Sequence, residues 1–169
     1  LMLTSTNEAE AGARVDHLEH VNNERTGMVS AMTKELKKRM KEMDVIPDVL
    51  VLGNPDWRPA LVGLAANSLA EEYHRPAFLW GRDGNGVLKG SCRSEGSTSV
   101  VKIMDAAAEH LTEHGGHHMS GGFAVEEDSI FQLSGYLNDA YASLGEQVLA
   151  DNDVIIDAYL ELSDVNADL

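Results

Sequence analysis

The stretch that decides the fold is His114-Gly115-Gly116-His117-His118-Met119-Ser120-Gly121-Gly122-Phe123. Two pairs of glycines flank two adjacent histidines. Glycine lets the backbone approach a ligand closely, and backbone N–H groups can converge with imidazoles on an anion. A tight helix-to-strand crossing with histidines on the surface explains the same pattern. The residues alone therefore leave an anion site and a structural corner equally open.

A second informative stretch lies upstream and reads Lys89-Gly90-Ser91-Cys92-Arg93-Ser94. A serine hydroxyl can donate a hydrogen bond, and an arginine guanidinium can grip a phosphate with two parallel N–H groups. Alternating serine and arginine also occur on exposed strands that bind nothing. The alternation predicts that Cys92 faces the core rather than acting as a nucleophile.

Working outward from these stretches, the pattern predicts an α/β fold. Short apolar runs bounded by glycine, proline or asparagine predict strands, and these are 48–53, 77–80, 86–93, 119–125 and 154–162. Helical spacing and capping signals predict four helices, and these are a long helix up to about Met43, a helix from Pro59, a helix 100–114 and a helix 129–149. Alternating strands and helices favour a mixed β-sheet flanked by helices, preceded by a long connector helix.

The ends of three elements carry specific predictions. Ser5 and Glu8 have the spacing of a capping box for the long helix. Ser99 is a candidate N-cap for the helix at 100–114, which the Gly115-Gly116 pair is expected to end. A strong turn signal stands at Asp83-Gly84-Asn85-Gly86.

One pattern offers a competing chemistry. His110, Glu113 and His114 match the H-x-x-E-H form of certain zinc peptidases, and on a helix the two histidines would share one face. The glycine pair that follows would end the helix at the supposed site. We therefore interpret this pattern as a coincidence and expect no metal ligands in this chain.

Charge is distributed unevenly along the chain. The net charge is −15, and all 13 lysines and arginines lie at or before Lys102. An anion site must therefore use the first hundred residues, histidines or backbone amides. The acidic C-terminal part is expected to be solvated surface that makes no strand contact. A basic cluster on the long helix is either a solvated face or a ligand site, and comprises Lys34, Lys37, Lys38, Arg39 and Lys41.

The setting of the protein follows from its composition. No apolar run approaches the length of about 20 residues that a membrane span needs. The single cysteine excludes an internal disulfide, and a cytoplasmic location is expected. The chain starts at Leu1 rather than at a methionine and stops inside an alternating segment. We expect it to be a piece of a longer protein.

Taken in order, the motifs resemble the DHHA1 domain of DHH-family phosphoesterases. The stretch from Gly115 to Phe123 is similar to the GGH-x-x-A-A-G-F signature of that domain, and 89–94 is similar to its G-S-x-R-S strand. Two further segments resemble RecJ-type exonucleases, namely Trp57-Arg58-Pro59-Ala60-Leu61-Val62-Gly63-Leu64-Ala65 with Tyr73-His74-Arg75-Pro76, and Leu18-Glu19-His20-Val21-Asn22-Asn23-Glu24-Arg25. The ordered set carries the resemblance, which extends over nearly the whole chain.

The resemblance implies a division of labour. It implies a connector helix at 1–46, a DHHA1 substrate-binding domain at 47–150 and the start of an OB-like domain at 151–169. It further implies a 5′-to-3′ exonuclease acting on single-stranded DNA in repair and recombination, whose DHH domain, in the same parent chain, holds manganese or magnesium. This piece would lack the catalytic residues and be inactive alone. The implied substrate contacts are Ser91, Arg93, Gly115, Gly116, His117 and His118.

Two alternatives and two departures stay open at this point. The chain resembles, less closely, phosphodiesterases of oligonucleotides or cyclic dinucleotides, and non-enzymatic RNA-binding appendages of the kind found in alanyl-tRNA synthetases. Arg58 and Ala60 stand where RecJ-type exonucleases usually have histidine and glycine. Ser120-Gly121 replaces the usual pair of alanines, which is conservative in size.

Overall fold

The computed structural model of the protein describes residues 4–96 and 98–145. Its centre is a five-stranded mixed sheet with strand order β1-β2-β3-β5-β4. β1 and β2 are parallel, and the other neighbouring pairs are antiparallel. The strands are β1 (Leu50–Gly53), β2 (Ala77–Arg82), β3 (Leu88–Arg93), β4 (Glu113–His117) and β5 (Ser120–Val125). The parallel pair needs a crossover, and the helix between β1 and β2 supplies it.

Helices cover both faces of the sheet, which confirms the predicted α/β class. α1 and α2 pack on one face, and α3 and α4 pack on the other. The helices are α1 (Glu8–Lys41), α2 (Pro59–Tyr73), α3 (Val100–Ala106) and α4 (Leu133–Leu144), with one 3₁₀ turn at Ala108–His110. Within the described ranges, no helix is both long and apolar enough to cross a membrane.

Each face of the sheet has its own core because strand side chains alternate between faces. On the α1–α2 side, Leu50, Leu52 and Leu79 pack with the apolar faces of the two helices. On the α3–α4 side, Phe78 and Phe123 tilt against each other with ring centroids 5.7 Å apart. Each core contains several of the largest fully buried side chains, which include Leu36, Leu50, Leu79, Ile103, Met104, Leu133 and Leu137.

Only the second half of α1 is packed. Met32, Leu36 and Met40 are buried, whereas Leu18 and Val21 are about half exposed. The predicted capping box is wrong, because the N-cap is Asn7. Its side-chain Oδ1 accepts hydrogen bonds from the backbone of Ala9 and Glu10 at 3.1 and 3.2 Å. An asparagine adjacent to the first turn satisfies those N–H groups directly, so the helix begins two residues later than the capping box predicts.

The predicted helix at 100–114 is also wrong in its second half. α3 begins as expected, with Ser99 as N-cap, but it ends at Ala106. The Gly115-Gly116 pair lies inside β4 and does not terminate a helix. Glycine has low helix propensity, and both glycines pair with the glycines of β5 across a tight hairpin. Pairing with a distant segment thus overrides the local helical spacing.

Several other boundaries agree with the sequence, although α4 begins at Leu133 rather than at the predicted residue 129 because turns occupy 129–132. α2 begins at Pro59 and β2 begins at Ala77, as predicted. The turn at Asp83 forms, with Gly86 at a φ of 88° and the Asp83 N–H donating to the Val87 carbonyl at 2.9 Å. The predicted strand at 154–162, the end of the predicted helix at 129–149 and the OB-like segment lie outside the described residues.

Candidate functional site

The sheet register brings the two glycine-containing stretches together. Ser91 lies opposite Gly122, which in turn lies opposite Gly115. Two residues further along β3, Arg93 lies opposite Ser120, which lies opposite His117. Residues directly opposite each other, and residues two apart on a strand, point to the same face. Ser91, Arg93 and His117 therefore share one face across three strands.

α2 covers this face over β2 and β3 but leaves it open over β5 and β4. α2 crosses β2 and β3 at Gly63, where an added Cβ would lie 3.1 Å from Arg93 Nη2 and 3.3 Å from Ser91 Oγ. On β5 and β4, by contrast, a Cβ at Gly115 would meet no heavy atom within 4 Å. We call the surface formed by Gly115 and Gly122 the glycine shelf. It is a flat, open strip of backbone beside a serine and an arginine.

The glycine shelf is bounded by a shallow groove of about 390 Å³. The walls at this end include Pro59 at the start of α2, Lys89 on β3 and Glu113 on β4. Lys89 makes an ion pair with Asp83 at 3.4 Å, so part of its charge is already compensated. At this end of the groove, the charges of Lys89 and Glu113 oppose each other. Arg93 is therefore the main cation of the open face.

Arg93 is half-buried and oriented by the protein. Its Nη1 donates to the Cys92 carbonyl at 2.7 Å. It lines a second groove, of about 700 Å³, together with Arg25 of α1 and with Asn67 and Ser68 of α2. A guanidinium held this way offers its remaining N–H groups to an anion.

The sequence predictions did not assign Arg25, Asn67 or Ser68 to the site. Arg25 appears in them only within the connector motif, because nothing in a helical spacing says that α1 lies beside Arg93. Arg58, by contrast, lines a separate hollow with Met28 and Trp57, so it is not grouped with Arg93.

Two of the predicted site residues behave differently from the rest. Gly116 points to the α3 side, where a Cβ would lie 2.4 Å from the Gly121 Cα. His118 is in the turn between β4 and β5, and its carbonyl accepts a hydrogen bond from the Val100 N–H at 2.9 Å. Its Nε2 is buried without a hydrogen-bond partner among the described residues. Gly116 and His118 therefore contribute to the structure of the hairpin and do not lie on the open face.

The pattern that suggested zinc is dispersed in the fold. His110 lies in the 3₁₀ turn and stacks on Tyr136, with ring centroids 3.5 Å apart. His114 lies on β4 and contacts Asp105 Oδ1 at 3.1 Å. Across residues 4–96 and 98–145, no group of three or more histidine, cysteine, aspartate or glutamate side chains is placed to hold a metal ion. The described residues therefore do not fit a metal centre, and no metal chemistry is assigned to them.

Cys92 faces the core, as predicted. It is fully buried, and burial raises the pKa of its thiol to about 12. Its Sγ lies 3.8 Å from the sulfur of Met104. A thiol in this environment stays protonated at neutral pH and is a poor nucleophile. The chemistry of the open face thus rests on hydrogen bonding and charge.

Comparisons with known proteins identify relatives of this chain by sequence. The family model described as the DHHA1 domain matches residues 46–143. The single-stranded-DNA-specific exonuclease RecJ of Bacillus subtilis is 28% identical over 155 residues, which cover 91% of this chain and 19% of that protein. RecJ of Thermus thermophilus is 31% identical over 142 residues, covering 84% of this chain and 20% of that protein.

Solved structures show the same fold. A crystal structure of exonuclease RecJ bound to manganese matches with a TM-score of 0.72 at 30% identity, over 84% of this chain and 34% of that one. A structure of Thermus thermophilus RecJ in complex with Mg²⁺ also matches with a TM-score of 0.72, over 22% of its length. The chain thus spans about a fifth to a third of the proteins that it matches.

Proposed function

Because the chain belongs to the DHHA1 domain family, we propose that it is the strand-binding part of a RecJ-type exonuclease that degrades single-stranded DNA from 5′ to 3′. The observation that carries this proposal is the open sheet face, where Ser91 and Arg93 of β3 and His117 of β4 lie on either side of β5 and border the glycine shelf. An arginine fork suits a phosphate group. The missing side chains of the shelf let a sugar or base lie directly on the backbone.

The roles of the site residues follow from their positions. We assign phosphate contacts to Ser91, Arg93 and His117, and close backbone contact with the strand to Gly115. Gly116 and His118 support the hairpin that presents them. Arg25 adds a second guanidinium to the groove that contains Arg93.

The cleavage chemistry is proposed to lie elsewhere in the parent protein. A DHH domain of the same chain would hold manganese or magnesium, and an OB domain would complete the strand path. The first half of α1 exposes Val15, Leu18 and Val21, which recur every third residue and offer an apolar seat for the DHH domain. We place the intact enzyme in the cytoplasm, where its substrate is made accessible during repair and recombination.

The binding experiment uses a fluorescein-labelled single strand titrated with the 169-residue chain at low salt. Arg93→Ala and His117→Ala should each weaken binding by about 1–3 kcal/mol, which is the cost of a lost charged hydrogen bond. Low salt is needed because phosphate contacts weaken steeply as salt rises. Arg14→Ala and His20→Ala, on the exposed half of α1, are the matched controls and should leave the affinity unchanged.

Three results would count against the proposal, and the first two are the following. One is an unchanged affinity in both site variants. The other is a cyclic dinucleotide that competes as well as the single strand on a molar basis, which would favour the phosphodiesterase alternative. A structured RNA that outcompetes the single strand would favour the RNA-binding alternative.

The isolated chain is expected to lack nuclease activity. Its described residues present no metal-binding cluster, and phosphodiester hydrolysis in two-metal enzymes depends on metal-activated water. Incubation of the pure chain with a labelled single strand and Mn²⁺ should leave the strand intact on a sequencing gel. Cleavage that co-elutes with the monomer during gel filtration would contradict this expectation.

A further inference from the structure

The second half of α1 separates its charges between two faces. Residues 26–41 contain five basic residues and a single acid, Glu35. Glu35 points toward the protein, where it accepts hydrogen bonds from Asn54 and Trp57 at 3.3 Å each. Arg39 also points inward and donates to the Gly53 carbonyl at 2.8 Å. The outward side of this half of the helix is therefore predominantly positive, because its one acid is turned toward Asn54 and Trp57.

The outward side consists of four lysines, which we call the lysine face: Lys34, Lys37, Lys38 and Lys41. Their spacing of three, four and seven places them together, opposite the buried stripe that ends at Met40. Lys37 pairs with Glu72 at 2.7 Å, and Lys38 lies 3.8 Å from Glu42. Lys34 and Lys41 have no acidic partner within the described part of the chain.

The helix dipole accounts for only part of this arrangement. Basic side chains in the last turn of a helix are stabilised by the partial negative charge there. This explains Lys38 and Lys41, which lie in the last turn. Lys34 lies seven residues before the helix ends, beyond the reach of that effect. In a chain with a net charge of −15, four lysines on one helix face need a further reason.

The lysine face adjoins the groove that contains Arg93. A hollow on α1 is lined by the four lysines of the lysine face, by Ser30 and, at its inner edge, by Glu35. Ser30 is equally part of the wall of the groove that holds Arg25 and Arg93. Basic surface therefore continues from the sheet face onto the outside of α1. The distance from Lys34 to Lys41 is about 10 Å at 1.5 Å per residue, which accommodates more than one phosphate.

We propose that the lysine face binds the phosphate backbone of a nucleic-acid strand, extending the sheet site beyond the nucleotides held at Arg93. The proposal rests on the proposed function for the part of the strand bound by the sheet. Lysine ammonium groups act as mobile point charges and suit a flexible backbone that is held without regard to sequence. The contact is therefore independent of base identity and depends on strand length.

The test compares a long and a short strand on the full chain. The triple variant Lys34→Gln/Lys38→Gln/Lys41→Gln leaves the Lys37–Glu72 ion pair intact. With a single strand of about 20 nucleotides, the slope of log affinity against log salt should fall by about 2, since each phosphate contact contributes about 0.7. With a strand of about four nucleotides, affinity and slope should not change. The matched control, Lys34→Arg/Lys38→Arg/Lys41→Arg, should retain the original slope.

The outcomes separate this inference from the proposed function. An unchanged slope with the long strand in the glutamine variant, whose thermal melt matches that of the parent chain, overturns the lysine face as a strand contact. Displacement of the long strand by polyglutamate as readily as by unlabelled DNA overturns it too, in favour of an acidic protein partner. If Arg93→Ala has no effect on either strand while the glutamine variant weakens the long one, the sheet site fails and the lysine face stands.

Discussion

At the scale of single residues, Gly115 and Gly116 are adjacent but serve different purposes. A side chain on Gly115 would project into open space next to Gly122. A side chain on Gly116 would collide with the backbone of β5, and its φ of 152° is one that residues with a Cβ rarely adopt. The fold therefore requires glycine at position 116 but not at position 115, where the proposed ligand contact is the reason for a glycine.

This difference predicts opposite phenotypes for two neighbouring substitutions. Gly116→Ala should destabilise the protein by about 1–3 kcal/mol, the usual cost of a strained backbone position. Gly115→Ala should change the free energy of unfolding little but weaken single-strand binding, because the methyl group occupies the glycine shelf. Urea denaturation and fluorescence titration of both variants measure the two effects. Equal stability losses would contradict the assignment.

At the scale of elements, one carboxylate of α1 gathers the polar contacts between this helix and the loop that follows β1. Glu35 contacts Arg39, Asn54 and Trp57, and so ties the helix to the loop between β1 and α2. The Arg39 guanidinium lies 5.5 Å from the Trp57 ring centre, which adds a cation–π contact. This polar cluster sits beside the buried methionine stripe and fixes where α1 crosses the fold.

Removing the Glu35 carboxylate should weaken the contact between α1 and the loop that follows β1. Glu35→Ala is expected to cost about 1–3 kcal/mol of unfolding free energy, because it leaves partly buried donors on Asn54 and Trp57 unpaired. Glu19→Ala removes the same charge from the exposed half of α1 and serves as the control, with an expected change within about 0.5 kcal/mol. Guanidinium unfolding monitored by tryptophan fluorescence distinguishes the two. A Glu35 variant as stable as the Glu19 variant would rule out this role.

The elements also show what a sequence can and cannot predict. The alternation of Ser91, Cys92 and Arg93 is local, so the buried cysteine and the outward serine and arginine follow from a period of two. The hairpin of β4 and β5 depends on contacts between two glycine pairs, and local spacing wrongly extended the helix after Ser99 to His114, into the start of β4. The position of Arg25 beside Arg93 depends on how α1 packs against α2. Such tertiary contacts are not encoded in any short stretch.

At the scale of the whole molecule, charge imbalance governs the response to salt. The chain has 28 acidic and 13 basic residues. Mutual repulsion of like charges opposes the compact state, and salt screens it, since the Debye length falls from about 10 Å at 0.1 M to about 3 Å at 1 M. Binding of a polyanion weakens with salt for the same reason. We therefore expect stability and the proposed strand affinity to respond to salt with opposite signs.

We expect the melting temperature to rise by a few degrees between about 0.1 and 1 M sodium chloride at neutral pH. The control uses the same salt series near the isoelectric point of about 4.7, where net charge is small and the rise should shrink. Differential scanning calorimetry provides the measurement. A rise of the same size at both pH values would show that salt acts on something other than net charge.

The paired glycines of β4 also bear on how descendants of this domain would diverge. A lineage that no longer binds a strand would be released from selection at position 115, and side chains of any size would accumulate there. Position 116 would stay glycine in the same lineage, because the hairpin needs it whether or not a ligand is bound. In a set of related sequences, domains that bind a strand would then keep glycine at both positions. Domains that have lost binding would vary at position 115 and keep glycine at position 116.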